Sequence, residues 1–294
     1  AVVFDSFDVP ELIDVLAVSA LLNNYDTFSG NWTLLRDADT DRWRAIPNDL
    51  DLILGLRGDA RTTSLVPDFA LGTFGPLFGD DRFVDMYLRR LRTLLDTELT
   101  AAAVLGRLDD NIEGLGPELA LDRATWPLDT VSPAAGRAAV ADYVADRRAN
   151  LLAHAAAGEL PAAQASGAGA VIAEIRASGD PQADFVALAN PSPTVAVDVS
   201  GWTLAGDTTA VLPPGSVVPA GGELVVPAEP VAMAARGEGI PVAGRLDGGL
   251  SDTGGLILRD VTGAYRDTVT WSAGGAWPPA DGRSLEALTL GDRS

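Results

Sequence analysis

Asn23 to Gly55 reads NNYDTFSGNWTLLRDADTDRWRAIPNDLDLILG, and the amino-terminal half of the chain is organised around it. Trp32 to Arg36 and Trp43 to Ile46 read as short strands. The polar run from Asp37 to Asp41 between them reads as a turn, so the pattern predicts a β-hairpin. Asp26 and Asn31 stand at its entrance; Asp49 and Asp51 follow its second strand, before an apolar run and Gly55. A hairpin brings its two ends together, so Asp26, Asn31 and Asp49 can meet at its mouth, with Asp51 as a further ligand. Mg²⁺ prefers oxygen ligands and often takes only one or two protein carboxylates. The plainer alternative makes Asp26 and Asn31 turn residues and Asp49 a solvated strand end in an Asp-rich chain.

A helix is expected just upstream. Asp8 is placed as its N-cap and Pro10 in its first turn. Leu12, Ile13, Leu16, Ala17, Ala20 and Leu21 then form an apolar stripe at helical spacing. From Glu11 to Leu22 this helix would pack beneath the loop and aim Asp26. An Asp five residues ahead of an Asn is also the spacing of protein-kinase catalytic loops, where the Asp accepts the proton of the attacking hydroxyl and the Asn holds Mg²⁺.

The wider wording, N-Y-D-x-F-x-x-N-W-x-L followed by W-x-x-I-P-x-D-L-D, resembles the CotH kinase family of secreted atypical protein kinases, which typically reads N-W-D-x-x-x-x-N-x-Y-L-Y and then I-P-W-D-L-D-x-x-x-G. The resemblance covers roughly the first 155 residues and is sharp over Asn23 to Gly55. It implies a catalytic role for Asp26 and metal-binding roles for Asn31 and Asp49, with ATP and Mg²⁺ as cofactors and a Ser/Thr-bearing protein as substrate. Tyr25 stands where that family has Trp, and Asn48 stands where it has the Trp of P-W-D. Arg57 and Arg61, in the Gly/Pro-rich stretch after Gly55, are candidate phosphate contacts; their alternative is ordinary surface arginine. The chain begins at Ala1, mid-way into what reads as a strand, so it is expected to be a fragment or processed product. The family's small lobe would lie before it, and the chain alone is expected to be incomplete for ATP binding. The competing reading is a non-catalytic pseudokinase scaffold.

Composition excludes several chemistries. The 294 residues include no Cys, no Lys and a single His, His154, against 41 acids and a net charge of −20. A Cys/His zinc site, a Cys nucleophile and a Lys-bearing phosphate loop are therefore impossible within this sequence, and His154, read as meeting a helix dipole, is not read as the centre of a triad. The acidic balance argues against nonspecific nucleic-acid binding and anionic membranes. No apolar run is long enough for a membrane span. With hydrophobic residues at 47%, two domains can each bury a core. Asp37, Asp39 and Asp41 resemble the start of a calcium loop, but Arg42 stands where that loop needs Gly, which favours a solvated turn.

Three further helices are expected, with a short helical piece after Pro117, ending at Trp126, between the second and the third. One starts at Asp80 with a core stripe of Phe83, Met86, Tyr87, Leu91, Leu94 and Leu95, and carries Arg89, Arg90 and Arg92 on its other faces. The second is capped by Thr100. The third runs from Ser132-Pro133 to His154, its Asp142, Asp146, Arg147 and Arg148 charges forming a solvated face and His154 meeting the helix dipole. Residues 156–169, rich in Ala, Gly, Pro and Ser, read as a linker between a first domain over 1–155 and a second over 170–290. The second carries short strands at Val171–Arg176, Asp184–Ala189, Trp202, Glu223–Val226, Gly255–Arg259 and Tyr265–Trp271, which indicates an antiparallel sandwich. Its V-I-A-E-I, D-F-V-A-L-A-N-P-S and V-D-V-S-G-W-T-L resemble the lamin tail domain, an immunoglobulin-like sandwich, with Ala187 in place of a customary Glu. That resemblance implies structural roles for Asn190-Pro191 and Gly201-Trp202, a protein or cell-surface ligand, and no catalysis. The fold class expected for the whole chain is α+β: a mainly helical kinase-like lobe with a catalytic-loop hairpin, then an all-β immunoglobulin-like sandwich. Both resemblances imply an extracellular or cell-surface protein.

Overall fold

The computed structural model describes residues 2–24, 26, 30–56, 59, 64–66, 72–126, 131–234, 237, 239–272 and 285–286. A short helix α1 (Val2–Ser6) leads into α2 (Val9–Leu21), capped by Asp8, whose carboxylate accepts from Glu11 N at 3.1 Å. The hairpin follows as β1 (Trp32–Arg36) and β2 (Trp43–Pro47), paired Trp32 to Pro47 through Arg36 to Trp43. A 3-10 turn over Gly75–Gly79 and four α-helices follow in the first unit: α3 (Asp81–Thr97), α4 (Ala101–Gly114), α5 (Gly116–Thr125) and α6 (Pro133–Ala156). Asp80, Thr100 and Ser132 cap α3, α4 and α6 through their side-chain oxygens, each holding a first-turn N–H that the helix itself cannot satisfy.

The core of this unit is the contact of α2 with α3. Leu12, Ile13, Leu16, Ala17 and Ala20 of α2 meet Phe83, Met86, Tyr87, Leu91 and Leu95 of α3, with Tyr143, Val144 and Leu151 of α6 closing one side. The stripes expected from the 3.6-residue period are the faces that are buried. Helices α4 and α5 bury no residue; α4 touches this core through the half-buried Val104.

The second unit comprises β3 (Val171–Arg176), β4 (Phe185–Ala189), β5 (Val197–Asp198), β6 (Thr203–Gly206), β7 (Ala210–Val211), β8 (Val217–Val218), β9 (Glu223–Pro227), α7 (Pro230–Ala234), β10 (Gly254–Arg259), β11 (Tyr265–Trp271) and β12 (Leu285–Glu286). Two four-stranded sheets, ordered β11-β10-β6-β7 and β12-β3-β4-β9, face each other, and a ribbon of β5 and β8 stands beside them. The fold is α+β, with an immunoglobulin-like sandwich as its carboxyl-terminal part. Val186, Leu188, Trp202, Leu204, Leu224, Leu256 and Leu258 fill the space between the sheets. Strand β4 is buried on both faces. Its Phe185 and Ala187 pack outward against Met233 of α7 and Val242. Ala187 is fully enclosed there, so a carboxylate at that position would be stranded in apolar surroundings. Asn190 is buried and structural: its Nδ2 donates to Val195 O at 2.8 Å and its Oδ1 accepts from Ser192 N, closing a turn.

The two units share an interface. Ala196 and Val217 of the sandwich belong to the helical core. Arg90 of α3 donates through Nε to Asp14 at 2.7 Å and through Nη1 to Asp198 at 3.1 Å and Ser200 at 3.2 Å. Burial opposes its charge, but Asp198 and Asp14 together more than offset this and raise its pKa. Pro161 O and Ala162 O accept from Arg92 and Arg89, and Gln164 makes a two-way bond with the Asp198 backbone. The arginines that α3 carries off its core stripe are thus covered by residues 161–164 and the sandwich.

Candidate functional site

The site grows from the carboxyl end of α2. A helix leaves its last carbonyls without partners, and here each has one. Val18 O accepts from Leu22 N, Ser19 O from Asn24 N at 2.9 Å, and Ala20 O from Arg147 Nη2 at 2.7 Å. Leu21 O accepts from the Tyr143 hydroxyl at 2.6 Å, and Leu22 O from Leu54 N at 2.8 Å. Asn23 breaks the helix at φ +48°, a left-handed conformation that Asn tolerates. The chain therefore leaves the helix toward Asp26 from a fixed point. The far end of the stretch returns to that point through Leu54.

Arg147 and Arg148 depart from the expected solvated face of α6. Arg147 is fully buried, and Arg148 donates to Leu95 O and Leu99 O, the terminal carbonyls of α3 and its following turn. Burial pushes the Arg147 guanidinium pKa down and the Tyr143 phenol up. Gly55 seats the loop against α6: its φ is +81°, and a Cβ there would lie 3.0 Å from Tyr143 Cδ2. His154 sits in the last turn of α6, beside the Glu159 carboxylate.

The hairpin is tied down along β2. Asp8 N donates to Trp43 O at 3.0 Å, Ala45 is buried, and the Arg44 guanidinium holds Glu11 of α2 with two bonds. Trp32 meets Phe74 edge-to-face at 5.3 Å. The turn is self-contained, with Asp37 Oδ1 accepting from Asp39 N and Thr40 N. These bonds lower its pKa, Asp39 N contributing most.

At the mouth, Asn31 Nδ2 donates to Asp26 Oδ2 at 2.9 Å. One rung beyond the ladder, Asn48 N donates to Asn31 O at 2.8 Å, and Asn48 Nδ2 reaches Thr33 Oγ1 at 3.2 Å. Asp49 follows directly, exposed and at φ +49°. Asn31 is thus bonded through its side chain to Asp26 and through its backbone to Asn48, the residue before Asp49. Asp51 is also exposed, two residues along. Arg57 and Arg61 lie outside the described residues. Three of the four non-glycine residues with positive φ among the described residues, Asn23, Asp49 and Leu54, bracket this site. Such conformations persist only where surroundings impose them, and they concentrate at functional sites.

The donor set is hard and oxygen-based: two carboxylates and one amide, half-buried to exposed. That fits Mg²⁺, which keeps several waters and takes few protein ligands. Among the described residues no group of three or more His, Cys, Asp or Glu is gathered as a denser metal cage. The side chains that position the loop, Tyr143 and Arg147, escaped sequence reasoning. Their only signal was the spacing of four, which puts both on one helix face.

A helical unit with an Asp–Asn pair at a hairpin mouth, joined to an immunoglobulin-like sandwich, defines a two-module protein. The family model of the CotH kinase protein matches residues 2–151, and the chain belongs to that family. The Lamin Tail Domain model matches residues 163–273, so the sandwich is a lamin tail domain. No curated protein matches the chain. Among the described residues no helix is long and apolar enough to cross a membrane.

Proposed function

We propose that the helical unit transfers the γ-phosphoryl group of ATP to a Ser or Thr hydroxyl of a protein, with Asp26 as the proton acceptor. The observation that carries this reading is the Asn31-to-Asp26 hydrogen bond at the hairpin mouth, one rung from Asp49. The bond fixes the rotamer of Asp26, which in this reading is the base for an incoming hydroxyl. Because Asn31 donates through Nδ2, its carbonyl oxygen remains available as a ligand. Asn31 and Asp49, with Asp51 further out, would hold Mg²⁺. Bound Mg²⁺ supplies charge neutralisation on the phosphates. The anchored carboxyl end of α2 keeps these groups in place before substrate arrives, which is the main protein contribution such a reaction needs. The lamin tail domain, in this reading, holds a protein or surface partner, and the protein works outside the cell or at its surface, as the family resemblance implies.

The test is phosphate transfer from ATP in Mg²⁺ to Ser/Thr-bearing protein, followed by mass spectrometry. It is run on this chain and on a form extended at its amino end. The expected result is transfer that falls at least a hundredfold in Asp26→Asn while the thermal midpoint is unchanged. Asp49→Ala should weaken ATP·Mg²⁺ binding in calorimetry. Transfer undiminished in Asp26→Asn, or none from either form, would sink the proposal and leave the scaffold reading.

A further inference from the structure

The segment after α6 runs beside α3 and, with the loop after β4, walls a cleft of about 840 Å³ between the helical unit and the sandwich. That is the size of a small-ligand pocket. Most of its polar groups already have partners. Gln164 is bonded both ways to the Asp198 backbone, Asn190 closes its own turn, and Asp85 accepts from Ala220 N at 2.9 Å.

Arg89, which lines the same cleft, is different. Its side chain is enclosed, with 1% of the residue exposed. Nη1 donates to Ala162 O at 2.9 Å, and Nε is buried without an acceptor. Among the described residues no carboxylate lies within ion-pair distance of it, whereas Arg90, its neighbour in sequence, has two. Burial pushes its pKa down; Asp198 and Asp85 oppose this from a distance. A buried cation held by one neutral carbonyl is the arrangement that calls for an anion.

We propose that this cleft binds the carboxylate of a ligand with a small apolar body, of the kind a peptide carboxyl terminus presents, with Arg89 as its counter-ion. The bond from Nη1 to Ala162 sets the plane of the guanidinium. It leaves the edge formed by Nε and the other terminal nitrogen, which grips a carboxylate through two parallel bonds. The walls supply the rest of the selectivity. Pro161 to Ala165 and Gly167 to Gly169 offer small side chains and backbone, which accept small apolar groups. Asp85 and Glu159 on the same walls repel a multiply charged anion such as phosphate and tolerate a single carboxylate.

Titration calorimetry on the full chain at low salt tests this with three probes: acetyl-trialanine bearing a free carboxylate, its carboxamide, and inorganic phosphate. The free acid should bind, with the amide and phosphate each at least tenfold weaker. Arg89→Met should abolish binding of the acid. Ala163→Trp, which fills the cleft from an exposed wall position, should do the same without touching the buried cation, so the test survives a poorly folding Arg89 variant. Equal binding of acid and amide, tighter binding of phosphate, unchanged binding in Ala163→Trp, or no binding of the acid at millimolar concentration would each overturn the proposal.

Discussion

Arg147 puts a buried positive charge to work on backbone. Its Nη2 reaches Ala20 O at 2.7 Å and Ser64 O at 3.3 Å, and its Nη1 reaches Asn150. Arg147→Met should remove these bonds and leave the α2 terminus short of a donor. The expected cost is roughly 1.5–3 kcal/mol of stability, read as a lower urea midpoint at unchanged slope. An unchanged midpoint would show that Tyr143 and Leu54 hold the loop without it. The Asp–Asn pair at the hairpin mouth was legible in the sequence because its spacing is local: a separation of five keeps Asp26 and Asn31 within reach of each other. Arg147 was not. A guanidinium among Asp142, Asp146 and Arg148 looks the same on a solvated face as on a buried one, and only the arrival of α2 decides.

Elements followed from sequence wherever a period or a cap spoke for them. The stripe of α3 and the Asp8 and Thr100 caps fell where expected, and the longer strands of the sandwich matched to within a residue or two. Strands β5, β7 and β8 are two residues each and carry no alternation to read; partners distant in sequence define them. The turn joining β10 to β11 shows how much one side chain can organise. Asp260 accepts from Thr262 N, the Thr262 hydroxyl and Ala264 N, and Arg266 closes on its other oxygen. These bonds, the Thr262 hydroxyl first, hold its pKa at about 2, below the usual 3.8. A carboxylate whose pKa is depressed by folding contributes stability above its unfolded value and loses it as pH falls through the folded one. The stability gap between wild type and Asp260→Asn should therefore be full above about pH 4 and close as pH drops toward 2. Thermal midpoints from pH 5 to pH 2 check this; a constant gap would contradict it.

At the scale of the molecule, composition gave two domains and a stretch of Ala and Gly between them, with nothing to say how they would pack. The packing is close. Gly215 of the sandwich sits against the start of α2, where a Cβ would fall 1.9 Å from Pro10 O, and its φ of +80° already disfavours a side chain. Arg90, Asp14 and Asp198 bridge nearby. Calorimetry should accordingly show one cooperative transition for the whole chain. Gly215→Ala should force the surfaces apart and split that transition in two. Two transitions in the wild type would mean that the interface is too weak to couple the units.

Among the described residues, the buried charges are four arginines (42, 89, 90 and 147) and four aspartates (184, 198, 260 and 267), so they cancel. These buried groups therefore do not offset the net charge of −20, and dissolved ions reach the described acids that are exposed. Counterions shorten the range of that repulsion to about 10 Å at 0.1 M and about 3 Å at 1 M, while enclosed pairs such as Arg90 with Asp198 feel them little. Brine should therefore make this protein sturdier: its melting temperature should climb between 10 mM and 1 M sodium chloride, and a fall would mean that the ion pairs at its surface matter more than its self-repulsion.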